Sequence, residues 1–243
     1  LNTAGLCAVN SLIAGTDIAV TSSREYSKRA YKKKKSYSDS DSDSDSDRER
    51  RRKGSDKKGS RGQTSFWRRK MRTHHMVFDI NNDGVVSWDD FEVLISRFTD
   101  LGNLSQDQAN TFREEMKLAW EEEWGASSDP FAFIGQEQFM SNMETVVNTK
   151  NLRKKVARPL SYFFKAVDRD GSGEISIEEF KLFYKGLGLS EEAAMETFAS
   201  IDVNNDGLLS IKEFCKMGKD FFLSEDENRP SKMFWGPLAN DHH

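Results

Sequence analysis

C-terminal to residue 65, apolar side chains recur at helical spacing in short blocks separated by polar stretches. Phe91, Leu94, Ile95 and Phe98 fall at i, i+3, i+4 and i+7, and Leu160, Phe163, Phe164 and Val167 repeat the interval. Phe180, Phe183, Tyr184 and Leu187 do so again. That period lines each block along one face of an α-helix. Phe112, Met116, Ala119 and Trp120 trace a further face behind Ser105-Gln-Asp-Gln, which has the form of a helix N-cap. Phe139, Met143 and Val146 trace another. The pattern predicts an all-α body.

No such pattern exists between Tyr37 and Phe66, where no aliphatic or aromatic side chain occurs. Nothing there offsets the entropy of ordering the backbone, so residues 1–65 are expected to form a disordered basic, Ser-Asp-rich extension. Five Ser-Asp pairs from Ser38 to Asp47 suit a kinase directed by acidic residues, each phosphate adding about −1.5 to −2 charge; a solvated spacer is the plainer reading. Residues 1–23 are small, apolar and poor in acids, which suits a mitochondrial transit segment within residues 1–30 as an alternative to an unfolded extension.

The polar stretches between the apolar blocks carry a shared rhythm. Asp79–Asp90, Asp168–Glu179 and Asp202–Glu213 each place oxygen side chains at positions 1, 3 and 5. Glycine follows at 6, an aliphatic residue at 8, Ser at 9 and a carboxylate at 12. This is the spacing of an EF-hand calcium loop. A hard divalent cation takes six to eight oxygens at roughly 2.3–2.6 Å, which alternate residues of a curling loop can supply together with the position-7 carbonyl. Gly84, Gly173 and Gly207 permit the sharp turn. Val86, Ile175 and Leu209 are expected to form short strands pairing the loops, and three bound ions are expected in all.

EF-hands pair because one helix pair cannot bury its apolar face alone. The loops at Asp168 and Asp202 should pair; the first needs a partner between Leu104 and Leu152. With Ile134 at position 8, Ser127, Asp129, Phe131, Ala132 and Gln138 fall at positions 1, 3, 5, 6 and 12. The ligands at 5 and 12 and the glycine are gone, so this hand should keep its shape and bind no ion. Asp90 is one methylene shorter than the usual Glu, which favours a smaller six-coordinate cage and predicts Mg²⁺ binding at the Asp79–Asp90 loop.

A working first hand, a defunct second and working third and fourth resemble the invertebrate sarcoplasmic calcium-binding proteins. Trp88-Asp-Asp-Phe91 at the close of the first loop and the ending from Asp220-Phe-Phe-Leu through Phe234-Trp-Gly-Pro-Leu238 share the likeness, which covers residues 66–238. The resemblance implies a cytosolic Ca²⁺ buffer of muscle or neurons with mixed Ca²⁺/Mg²⁺ sites, in two paired-hand lobes packed as one compact globule. Carried over by loop match, the ligands are Asp79, Asn81, Asp83 and Asp90; Asp168, Asp170, Ser172 and Glu179; Asp202, Asn204, Asp206 and Glu213. Val85, Glu174 and Leu208 would add backbone carbonyls. The implied domains are residues 66–150 and 151–223 for the two pairs, with 224–243 packing on the core.

Charge and composition narrow the alternatives. Of 243 residues with net charge −4, residues 1–65 hold 15 basic and 9 acidic side chains, leaving 21 and 31 for the remainder. Interleaved acids and missing aromatics make the basic extension a poor nucleic-acid binder. Cys7 and Cys215 cannot build a disulfide framework, which fits a reducing cytoplasm, and no run of about 18 apolar residues suggests a membrane span. No nucleophile constellation suggests an enzyme, and either a monomer or a homodimer fits the pattern. A calcium sensor would use a Met-rich groove, yet 8 Met are scattered among 27 aromatic residues. The related photoproteins and luciferin-binding proteins enclose an organic ligand, for which His74, His75, Trp67, Trp88, Trp120, Trp124 and Trp235 could furnish a pocket. The simpler expectation is that the tryptophans pack in the core and the histidines face solvent.

Overall fold

The computed structural model describes residues 60–126, 129 and 131–240. The expectations for residues 1–59, including the Ser38–Asp47 repeat, and for Ser127 lie outside the described residues. Every apolar block folds as a helix, and several of the starts carry a capping side chain. Helix α1 (Ser65–Phe78) begins where Thr64 Oγ1 accepts from Trp67 N at 3.1 Å. Ser65, assigned to the extension by composition, is thus helical; Arg61 and Gly62 are also bonded to the body, to Asn148, Leu223 and Glu225. Helix α2 (Trp88–Gly102) stops at Asn103, whose φ of 50° places it in the left-handed region. Its successor α3 (Gln106–Glu122) opens on the Ser105–Gln108 capping box.

Strand β1 (Val85–Val86) pairs antiparallel with β2 (Ile134–Gly135), with Val86 opposite Ile134. The second loop therefore holds the register set by Ile134 at position 8. Helices α4 (Gln136–Asn148) and α5 (Lys150–Lys155) lead to α6 (Leu160–Val167), β3 (Glu174–Ser176) and α7 (Ile177–Gly186). After α8 (Glu191–Ile201), β4 (Leu208–Ser210) pairs with β3, Ile175 opposite Leu209. Helix α9 (Ile211–Leu223) and a 3₁₀ turn (Pro230–Met233) complete the order. Both predicted bridges are present.

One aromatic-rich core runs through both pairs of hands. Phe98 of α2 meets Phe163 of α6 edge-to-face, ring centres 4.9 Å apart, so the first hand's exit helix is wedged into the third hand. Phe234 and Trp235, after the 3₁₀ turn, are buried against Phe183 and Phe163. Burying each such ring contributes about 1.5–3 kcal/mol. The stretch that follows the 3₁₀ turn therefore contributes Phe234 and Trp235 to the core.

Helix α1 seals the end of α9. The Trp67 indole donates to Phe222 O at 2.8 Å, and the buried Lys70 ammonium donates to Phe221 O and to Ser224 O (2.6 Å). These carbonyls belong to the last turn and the C-cap, where no intrahelical donor remains and a cation is favourable. Burial still lowers the Lys70 pKa to about 8, against the raising effect of Asp220 and Glu225.

The histidine expectation is overturned. His74 and His75 are only 5% and 2% exposed. The imidazole of His74 lies among Phe78, Trp124, Phe139, Phe222 and Trp235, with ring centres 4.6–5.7 Å away. His75 Nε2 pairs with Ile134 O at 2.9 Å, tying α1 to the second loop. The α1 sequence carries basic residues between its apolar ones, so its inner face is wider than hydropathy shows. The tryptophans do pack inside, except Trp88, which stays half-buried.

Candidate metal centre

The three loops fold by one local rule. The first residue of each uses its carboxylate to bind the turn: Asp79 accepts from Asp83 N (3.1 Å) and Gly84 N (2.9 Å), and Asp168 from Ser172 N and Gly173 N (both 3.1 Å). Asp202 Oδ2 accepts from Gly207 N at 3.0 Å. At position 6, Gly84, Gly173 and Gly207 have φ of 91°, 81° and 79°, which a side chain would strain.

The position-12 carboxylate closes each loop and starts the exit helix. Asp90 Oδ2 accepts from Ser87 N (2.8 Å) and Ser87 Oγ (2.9 Å) while Oδ1 accepts from Ile80 N across the loop at 3.2 Å. Glu179 repeats this with Ser176 and with Arg169 N, the last at 3.1 Å. Glu213 caps Ser210, and its other oxygen accepts from Asn204 Nδ2 at 3.2 Å. Asp90 thus spans its loop despite the missing methylene.

Position 3 and position 5 side chains stiffen the interior. Asn81 Oδ1 accepts from Asp83 N (2.9 Å), and Asp83 Oδ1 accepts from Val85 N (3.0 Å). Asp170 accepts from Ser172 N at 2.9 Å, and Ser172 Oγ reaches Glu174 O at 2.7 Å. Asn204 and Asp206 accept from Asp206 N (3.2 Å) and Leu208 N (2.9 Å).

The electrostatics call for a cation. Ligand atoms of Asp168, Asp170 and Glu179 all lie within 4.8 Å of one another. Burial, then the charges of Glu179 and Asp170, raise the Asp168 pKa above the usual carboxylate value, against the lowering effect of the Gly173 N–H. Asp202 Oδ1 is buried with no hydrogen-bond partner. An unpaired buried carboxylate oxygen is costly, and a divalent ion is what would satisfy it. All twelve side chains carried over by loop match fall in these three loops, together with the position-7 residues Val85, Glu174 and Leu208.

One shared feature escaped sequence reasoning. Position 4 is left-handed in each loop: Asn82 (57°), Gly171 (68°) and Asn205 (55°). The signal was present, since Asn and Gly are the residues that tolerate this conformation. The corresponding place in the second loop is Pro130, a residue type unsuited to that conformation. That is a second departure of this loop's sequence, beside the lost ligands. It instead exposes Phe131 (81%) and Phe133 (66%).

Comparison with known proteins agrees. Two family profiles, each described as an EF-hand domain pair, match residues 158–218 and 76–97. A sarcoplasmic calcium-binding protein of Perinereis vancaurica tetradentata is 35% identical over 176 residues, covering 72% of this chain and 100% of that protein. One from Hediste diversicolor is 33% identical over the same shares. Among solved structures, the calcium-loaded apo coelenterazine-binding protein of Renilla muelleri superposes with a TM-score of 0.57 at 26% identity, covering 72% of this chain and 99% of that one.

Proposed function

We propose that this chain, which belongs to the sarcoplasmic calcium-binding protein family, is an intracellular calcium buffer with three working sites and one silent hand. Calcium binding itself follows from the family; the number of ions and the buffering role are our reading. The observation that carries it is the common closure of three loops, in which a position-12 carboxylate caps the position-9 serine and keeps its second oxygen at the loop interior. The fifteen residues named above are the proposed ligands, and the shorter Asp90 side chain suits the first loop to Mg²⁺ as well as Ca²⁺.

Packing favours a buffer over a sensor. Met71, Met116, Met140, Met143 and Met217 are buried in the core, while the exposed Met76 and Met195 sit on α1 and α8. The described residues present no Met-lined groove for a target helix. Nor does the interior suit an organic ligand: the cavity between His74, Glu123, Trp124 and Trp235 measures about 20 Å³, whereas small-molecule sites run to roughly 300–1,000 Å³. Both features support a closed ion binder.

The remaining parts of the reading are a cytoplasmic protein, monomeric or homodimeric, phosphorylation within Ser38–Asp47 as its modification, and no nucleic-acid partner. No helix among the described residues is long and apolar enough to cross a membrane. Calorimetric titration of the full chain with Ca²⁺, in the absence and presence of Mg²⁺, tests the central claim. Three equivalents are expected; one or none would overturn it. Calcium-dependent capture of a helical target peptide would favour a sensor instead.

A further inference from the structure

The first loop is bridged to a silent partner, so its β-pairing cannot link it to another ion. Helix α2 offers a different link. Asp90 lies in its first turn, and its fifteen residues form a rod of about 22 Å. The far end of that rod is held by the third hand at two places.

The first place is steric. A Cβ on Gly102 would lie 2.0 Å from Ala166 O, so the last residue of α2 touches the backbone of α6 two residues before Asp168. The second is electrostatic. Asn103 N and Leu104 N bond back to Asp100 O and Thr99 O, leaving Leu101 O to another donor. Arg169 supplies it, donating from Nε at 2.9 Å and also from Nη2. Helix α2 has no basic residue in its own last turn, so Arg169 is the cation that answers the negative end of its dipole.

Arg169 occupies position 2 of the third loop and ligates nothing there. Its backbone N–H donates to Glu179 Oε1 at 3.1 Å, the carboxylate that closes that loop. One residue is therefore fastened by its main chain to the third loop's gate and by its side chain to the first loop's exit helix. Phe98, wedged among Phe163, Phe183 and Gly186, packs α2 directly against α6 and α7.

We propose that Arg169, seated beside the Gly102–Ala166 contact, is a positioning residue that couples the third site to the first through α2, so that filling the third loop tightens ion binding by the first. This rests on the reading that both loops bind calcium. Coupling between sites is a free-energy difference that a mutant cycle isolates.

The test uses the full chain in four versions: parent, Glu179→Gln, Arg169→Ala and the double variant. Calcium binding at the first loop is followed by the fluorescence of Trp88, at position 10 of that loop, with Trp88→Phe identifying its share of the signal. Glu179→Gln is expected to weaken the first site about five-fold when Arg169 is present and not at all in the Arg169→Ala background. Gly102→Ala, which leaves every ligand in place, should also weaken the first site. Equal weakening with and without Arg169, or none in either, overturns the coupling. If the parent's Trp88 signal ignores calcium while the other sites fill, the ion-binding reading of the first loop fails as well, a result distinct from the loss of coupling alone.

Discussion

Replacing His74 with Leu should flatten the acid side of the stability profile. Burial, and then the charge of neighbouring His75, lower the His74 pKa from 6.5 to about 3. Its Nδ1 has no partner, so nothing compensates a proton placed there. Between those two values the unfolded chain carries one more proton than the native state. Stability is therefore lost as pH falls through 6.5, and the loss ends near pH 3. For one site, lowering pH from 7.5 to 4.5 costs about 3 kcal/mol. Urea unfolding of parent and His74→Leu, in chelator across that range, measures the effect. Carboxylate titration, including that of Glu123, whose pKa burial raises well above the usual value, is common to both chains and cancels. The parent's stability relative to the variant should drop by about 3 kcal/mol. A constant difference would mean that the imidazole protonates inside the aromatic cage, and the reasoning would fail.

Other outcomes follow from the loops and the helix contacts. Glu213→Gln should lower calcium stoichiometry by one, while Gln138→Glu should add none because Pro130 and Ala132 still deny the second loop its turn; calorimetry reads both. Asp90→Glu, restoring the missing methylene, should weaken Mg²⁺ and strengthen Ca²⁺ at the first loop, and unchanged Mg²⁺ affinity would refute the cage-size argument. In Gly186→Ala the new methyl would sit 2.6 Å from the Phe98 ring. About 1–3 kcal/mol of destabilisation is expected by denaturant titration.

The hands were legible because their chemistry is local. Oxygen ligands at fixed intervals, a turn glycine and a capping serine all act within twelve residues, so spacing alone located each loop. The register of the second loop was equally readable, since Ile134 pairs with Val86 whatever the ligands do. His74 was not readable: its burial comes from rings on α4 and α9 and from Trp124 and Trp235, far apart along the chain. Lys70 resembles any surface lysine until the end of α9 is brought to it. Arg169 looks like a solvated loop residue because Leu101, which it caps, lies 68 positions away.

The seam between α1 and α9 joins the first hand's entering helix to the last hand's exit helix. Four hands strung in a line would have two loose ends, each free to fray without disturbing its neighbour. Sealed by the Trp67 and Lys70 side chains, they form a ring with no outermost member. Circular permutation should therefore be tolerated between hands, and a break at the seam should be felt at every loop.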